Sequence, residues 1–218
     1  MKRTPSLSTC YTVTSGSYPQ VSGGGLDLTL VNANLRRAVE DPQRSLASGA
    51  TRGCRASPLM KFTYRTIPDK TLISASTKVV SALIPTLILP PLGNDGETWI
   101  SETARVPSGV VVSFPSLIAG GRRGLSAVAV LIRRQAIRDK ACVGNAVGDS
   151  SYGPRSFDLR GRYDFALIRR GLAIGFANGQ IAGPSCGRIE VTVPYALLQP
   201  YLSAAGRKLI ADVRLPSP

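Results

Sequence analysis

Histidine is absent from the 218 residues. The commonest general base is therefore missing, and with it every Ser–His or Cys–His pairing and nearly every zinc site except one made of four cysteines. Aromatic residues are few, at 6%, and none interleaves with the basic residues as the stacking platforms of single-strand nucleic-acid binders do. No apolar run approaches the ~18 residues that a membrane span needs. No Gly-x-Ser-x-Gly elbow occurs, and the glycine clusters Gly23-Gly24-Gly25 and Gly120-Gly121 lack the Lys-Ser/Thr of a phosphate loop. Asp95 and Glu97 are the nearest thing to a catalytic carboxylate pair, yet on a loop they read equally well as solvated polar groups. A non-enzyme with no cofactor and no metal is the expectation.

Turn formers are abundant instead, with 22 glycines and 16 prolines, too many for a helical bundle and without the strict period of collagen. With 43% hydrophobic and 18% charged residues, the chain has the material for one substantial core. Formal charge is +14, carried by 21 arginines and only 6 lysines. Such a surplus favours anionic partners: acidic wall polymers, an acidic protein surface, acidic lipid or nucleic acid. A GC-rich genome would also raise arginine over lysine, so composition by itself does not prove a binding surface. The surplus is concentrated. Residues 120–175 hold eleven basic side chains against four acidic ones. Arg122, Arg123, Arg133, Arg134, Arg138, Arg169 and Arg170 are the anion- or partner-binding candidates, because guanidinium forks suit bidentate contact with carboxylate or phosphate. The alternative is a soluble basic face with no specific partner. A second candidate contact is the loop Asn94, Asp95, Glu97 and Trp99, where the only tryptophan stands beside a polar turn; a lone tryptophan is otherwise a core residue.

Cys10, Cys54, Cys142 and Cys186 are even in number and widely spaced, which reads as disulfides and an oxidising compartment. Residues 1–7 lack the apolar core of a signal peptide, so the expectation is that a leader has been removed and that the chain is extracellular or surface-exposed.

Along the chain, residues 1–25 predict one strand and a turn. Leu28, Val31, Leu35, Ala38 and Val39 form a helical stripe, with Asp27 as its cap and Pro42 as its end, followed by a polar loop over 43–58. Phe62 and Tyr64 lie on a strand, and 67–70 is a turn. Residues 72–89 read as one extended strand with Pro85 at an edge or bulge, and Thr98, Ile100 and Thr103 continue a hairpin partner. Ser113 and Pro115 open a short helix. Leu125, Val128, Ala129, Ile132 and Ala136 form the clearest amphipathic stripe, with Arg133, Arg134 and Arg138 toward its other side. Residues 144–162 read as a loop. Strands are predicted at 163–167, 172–176 and 189–193, then a helical turn over 195–202. The fold class is α+β: a mixed or antiparallel sheet with two main helices packed on one side, in a single domain. Residues 1–10 would be a tail, 11–205 the domain and 206–218 a C-terminal segment.

The stretch from Phe165 to Phe176, Phe-Ala-Leu-Ile-Arg-Arg-Gly-Leu-Ala-Ile-Gly-Phe, continues through a glycine-containing loop to Glu190-Val-Thr-Val-Pro-Tyr195. This resembles the C-terminal signature of the RsiV-like extracellular domain family, found in a lysozyme-sensing anti-sigma factor, in some peptidoglycan deacetylases as a non-catalytic part, and in a secreted mycobacterial immunogenic protein. Tyr18-Pro19-Gln20-Val21-Ser22-Gly23 is similar to the family's N-terminal element, and Val106–Gly109 with Ser113–Ile118 to its central turn and short helix. Two places differ. Gly93-Asn94-Asp95-Gly96-Glu97 stands where many relatives carry a histidine-containing loop, and Arg169-Arg170 where they usually have an acidic or Asn-Gly turn.

The resemblance implies a non-catalytic secreted or surface-exposed sensor domain that binds a protein or an anionic cell-envelope polymer. Element adjacency in the resembled fold suggests the pairings Cys142–Cys186 and Cys10–Cys54, although four cysteines allow three connectivities. Lysozyme as a partner follows from the family but is disfavoured by charge, because lysozymes are commonly basic. The competing reading is an intracellular nucleic-acid-binding protein with reduced cysteines and an arginine-rich surface, which predicts steep salt dependence.

Overall fold

The element that organises the fold is a strand apolar on both sides. In the computed structural model, β5 (Val79–Leu89) is buried from Val79 through Thr86. A continuous rather than alternating apolar run means that both faces of the sheet are covered. The structure describes residues 2–5, 11–15, 17–22, 25–54, 61–89, 96–146, 150–158 and 161–213.

Among these, a six-stranded mixed sheet contains β1 (Lys2–Pro5), β2 (Tyr11–Ser15), β3 (Lys61–Thr66), β4 (Leu72–Ala75), β5 and β6 (Gly96–Arg105). β2 and β3 are parallel; the other pairs are antiparallel. β3 and β4 share one side of β5, and β6 takes the other. The break between β3 and β4 is the 3-10 turn Pro68–Lys70, placed opposite Pro85, which has no N–H to offer a ladder; Ile67 N–H instead donates to the Pro85 carbonyl at 2.9 Å. A second, three-stranded antiparallel sheet follows: β7 (Asp164–Ile168), β8 (Gly171–Phe176) and β9 (Ile189–Pro194).

The helices are α1 (Thr29–Cys54), α2 (Phe114–Leu117), α3 (Gly121–Asp139), α4 (Ala141–Ala146), α5 (Tyr195–Leu198) and α6 (Ala204–Val213). Side-chain burial sorts them into four layers. Val31, Leu35 and Val39 of α1, with Leu28 just before it, pack on Tyr64, Val80, Ile84 and Ile100. On the opposite face of the first sheet, Leu83 and Trp99 meet Ala166, Ile168 and Ala173 of the second. The outer face of the second sheet, with Phe165, Leu172, Ile174 and Val191, receives Val128, Ile132 and Ala136 of α3.

The chain is the single α+β domain with mixed and antiparallel sheets expected from sequence, and within it the two main helices cover opposite outer faces rather than one side. The cause is the doubly buried character of β5 and β8: each sheet has a second apolar face, and the two faces close on each other. Two local expectations change. Residues 72–89 fold as a β4–β5 hairpin rather than one strand, because the Ser76 hydroxyl accepts the Lys78 and Val79 N–H groups and turns the chain. Helix α1 runs through Pro42 to Cys54, carried by the Arg36–Glu40 and Arg44–Glu40 pairs on its exposed side and by Tyr64, whose hydroxyl donates to the Val39 carbonyl at 2.9 Å.

Both ends of the described chain carry regular structure. β1 pairs with β2, and α6 buries Leu209, Ile210 and Val213 in the main core, so packed structure extends past 205. No helix among the described residues is long and apolar enough to cross a membrane.

A candidate anion-binding face

The α3 arginines separate along the helix. Its buried stripe is Val128, Ala129, Ile132, Gln135 and Ala136, close to the spacing read from sequence. Arg122 and Arg123 stand exposed in the first turn. Arg138 lies about 24 Å further along, from the ~1.5 Å rise per residue. Arg133 is half-buried and lines a small cavity of about 200 Å³ with Pro154 and Asp158, while Arg134 is exposed. Arg138 is also exposed, at the helix C-terminus where a cation complements the helix dipole, and its Nε donates to Asp139 Oδ1 at 2.8 Å. This Arg138 hydrogen bond holds the Asp139 carboxyl below its ordinary value against the opposing effect of burial, with help from a Gln135 amide bond at 2.5 Å.

Arg169 and Arg170 form the turn between β7 and β8, closed by the Ile168–Gly171 pair. Both are exposed. β7 lies across the first sheet: Asp164 meets Ser101 of β6 at 3.1 Å, and the Leu167 N–H donates to Ser81 of β5 at 2.8 Å. The strand's far end thus carries the arginine turn out over β4. Between that turn and β4 is a groove of about 480 Å³ lined by residues 71–75 and 168–170.

A second groove of about 360 Å³ lies on the other side of the turn, with Arg138, Lys140, Arg170, Glu190 and Thr192 in its wall. Arg170 lines both grooves, so they adjoin. Its Nη2 is 3.8 Å from Glu190 Oε1, a carboxylate that also accepts the Thr192 hydroxyl at 2.7 Å. Four cations, Arg138, Lys140, Arg169 and Arg170, face two carboxylates across this surface. The set offers guanidinium forks, an ammonium and exposed backbone, which suits holding an anion.

The structure brings Arg138, Arg169 and Arg170 onto the walls of the two adjoining grooves. Arg122 and Arg123 lie at the far end of α3, Arg133 lines a separate cavity, and Arg134, one helical turn before Arg138, lines neither groove. Lys140, Glu190 and the β4 edge were not singled out from sequence. Only the central position of the β7–β8 turn in three dimensions joins them, and nothing in the linear order signals it.

Two of the loop candidates make contacts within the fold. Trp99 is 7% exposed and sits between the sheets, against the backbone of Gly175. Glu97 accepts Arg188 Nη1 at 3.0 Å and the Arg188 N–H at 3.3 Å, and the Arg188 guanidinium stands 5.5 Å from the Trp99 ring centroid. Both residues fasten β6 to the loop before β9. Asn94 and Asp95 lie outside the described residues. Cys142 and Cys186 are joined, with Cα atoms 6.0 Å apart, tying α4 to the loop that enters β9. Cys10 lies outside the described residues, and with it the pairing to Cys54.

No family model matches the chain, and no curated protein sequence does. Two solved structures share its architecture. A DUF3298 family protein from Bacteroides fragilis aligns with a TM-score of 0.59 at 14% identity, over 94% of this chain and 88% of that one. A DUF3298 family protein from Pseudomonas aeruginosa aligns with a TM-score of 0.56 at 12% identity, over 96% and 88%. At such identities the likeness is one of fold: four layers spanning nearly the whole chain, arranged as in the DUF3298 proteins.

Proposed function

We propose that this chain is a non-catalytic recognition domain, acting outside the cytoplasm, that binds an acidic protein surface or an anionic envelope polymer through the face made by Arg138, Lys140, Arg169 and Arg170. The observation that carries this reading is the convergence of those cations, from α3 and the β7–β8 turn, on two adjoining grooves that share Arg170. The Cys142–Cys186 bond supports an oxidising compartment. The DUF3298-like fold fits an RsiV-like relationship, which the Phe165–Tyr195 signature suggests independently. Absence of histidine argues for binding rather than catalysis.

The test is a binding titration with polyglutamate and with a glycerol-phosphate wall polymer. Arg138→Glu with Arg170→Glu is expected to weaken binding by at least about tenfold, as reversing two interfacial charges should. Arg122→Glu with Arg123→Glu changes the net charge equally but sits at the far end of α3, so it is expected to change affinity by less than about threefold. Equal losses in the two variants would mean diffuse charge attraction and would overturn the site. Tighter binding of nucleic acid than of either polymer would favour the intracellular alternative.

A further inference from the structure

The β4 side of the surface has a feature that simple charge binding does not use. β4 ends the strand order of its sheet, and no described residue pairs with its outer edge. The register fixes which backbone groups point outward. Ser76 N–H bonds the Val79 carbonyl at 2.8 Å, and an antiparallel ladder alternates from there, so Leu72 and Ser74 face β5. Ile73 and Ala75 therefore present their N–H and C=O groups outward. The groove of about 480 Å³ runs along the whole of this edge, and the Ile73 side chain is 43% exposed.

Cations surround the edge. Exposed Lys70 precedes it, exposed Lys78 follows it, and Arg169 and Arg170 overhang it, with acids at Asp69 beside Lys70 and at Glu190 behind Arg170. A lysine-flanked edge resists pairing with another copy of itself. In an antiparallel pair of two β4 strands, Lys70 of each copy would fall near Lys78 of the other, and the arginine turns would be crowded together. The same arrangement attracts an extended segment of opposite charge.

We infer that β4 is a docking edge for an extended acidic peptide of a partner protein, which adds as a strand beside Ile73 and Ala75 and directs carboxylates to Arg169 and Arg170. This rests on the recognition reading above and names its partner class. Backbone pairing supplies the register, and the arginine turn supplies the preference for acidic side chains.

The experiment uses the full chain and a synthetic peptide of about eight residues, long enough for one strand, alternating Glu with Val or Thr. Its control is the same peptide N-methylated at alternate amides, with equal charge but no strand-pairing donors on one side. The inference predicts that the N-methylated peptide binds at least about tenfold more weakly, the cost of about one net hydrogen bond or more. Ile73→Pro removes an outward N–H that the fold does not use, and should weaken the parent peptide similarly while leaving polyglutamate binding intact. Arg169→Glu, on an exposed turn, provides a second variant should proline disturb the edge; it should weaken the alternating peptide more than a neutral Thr-for-Glu version. Equal binding of methylated and unmethylated peptides would overturn strand addition and leave the charge-based reading standing. Polymer binding with no peptide binding would do the same. Loss of both peptide and polymer binding would remove both.

Discussion

Gly175 and Trp99 show how single residues set the distance between the two sheets. A Cβ on Gly175 would collide with Trp99 Cγ and Cδ1 and stand 2.8 Å from its Cβ. Gly175→Ala is expected to cost about 1–3 kcal/mol through overpacking, read from urea unfolding, and less when combined with Trp99→Leu, which clears the space. Equal losses in the two backgrounds would contradict this account of the contact. Asp164 makes a pH-dependent prediction at the same interface. Burial holds its carboxyl above the ordinary value of 3.8, partly offset by the Ser101 hydroxyl bond. The native chain thus keeps this proton more tightly than the unfolded chain. Its contribution to stability is complete below 3.8 and is lost as pH rises through the raised native value. Asp164→Asn keeps an acceptor for Ser101 without a charge, so its melting temperature relative to the parent should rise as pH is raised above the ordinary carboxyl value and through the raised native one. A constant difference would show that the carboxyl is not held protonated by the fold. Sequence alone marked Trp99 as either contact or core, and could not choose; what decides it is Gly175, a residue 76 positions away with no side chain to announce the match.

At the scale of elements, legibility follows periodicity. The strands β7, β8 and β9 were expected within a residue or two of their observed bounds, β9 from its alternation and β7 and β8 as short apolar runs bounded by turns. The α3 stripe was legible from its period, although the helix extends beyond it at both ends. The β4–β5 hairpin was missed because its turn, Thr77-Lys78, carries neither glycine nor asparagine and relies on the Ser76 hydroxyl. Helix α1 beyond Pro42 was missed because proline argues locally for an end, while ion pairs and the Tyr64 bond are tertiary or long side-chain effects. The Cys142–Cys186 link is an element-scale restraint, joining α4 to the β9 approach across a sequence separation of 44. Replacing both cysteines by alanine should lower stability by about 2–4 kcal/mol in urea unfolding, most of it lost denatured-state constraint. A change under about 0.5 kcal/mol would mean that the bond contributes little to this fold, well outside the usual range.

For the whole molecule, burial on both faces of both sheets explains why the helices end up on opposite outer layers. That layout places β7 across β4, β5 and β6, and so delivers the Arg169-Arg170 turn to the sheet edge, where Arg138 and Lys140 approach from α3. The net charge of +14 was legible at once, and so was the arginine-rich middle of the chain. Which three of its seven candidate arginines share one face was not, because that depends on how the sheets cross rather than on any local pattern. The most direct measurement is amide hydrogen exchange on the full chain, with and without the alternating acidic peptide. The account predicts added protection at residues 71–75 and 168–171, with residues 121–126 unchanged. Protection confined to 121–126, or spread evenly over the basic surface, would contradict it.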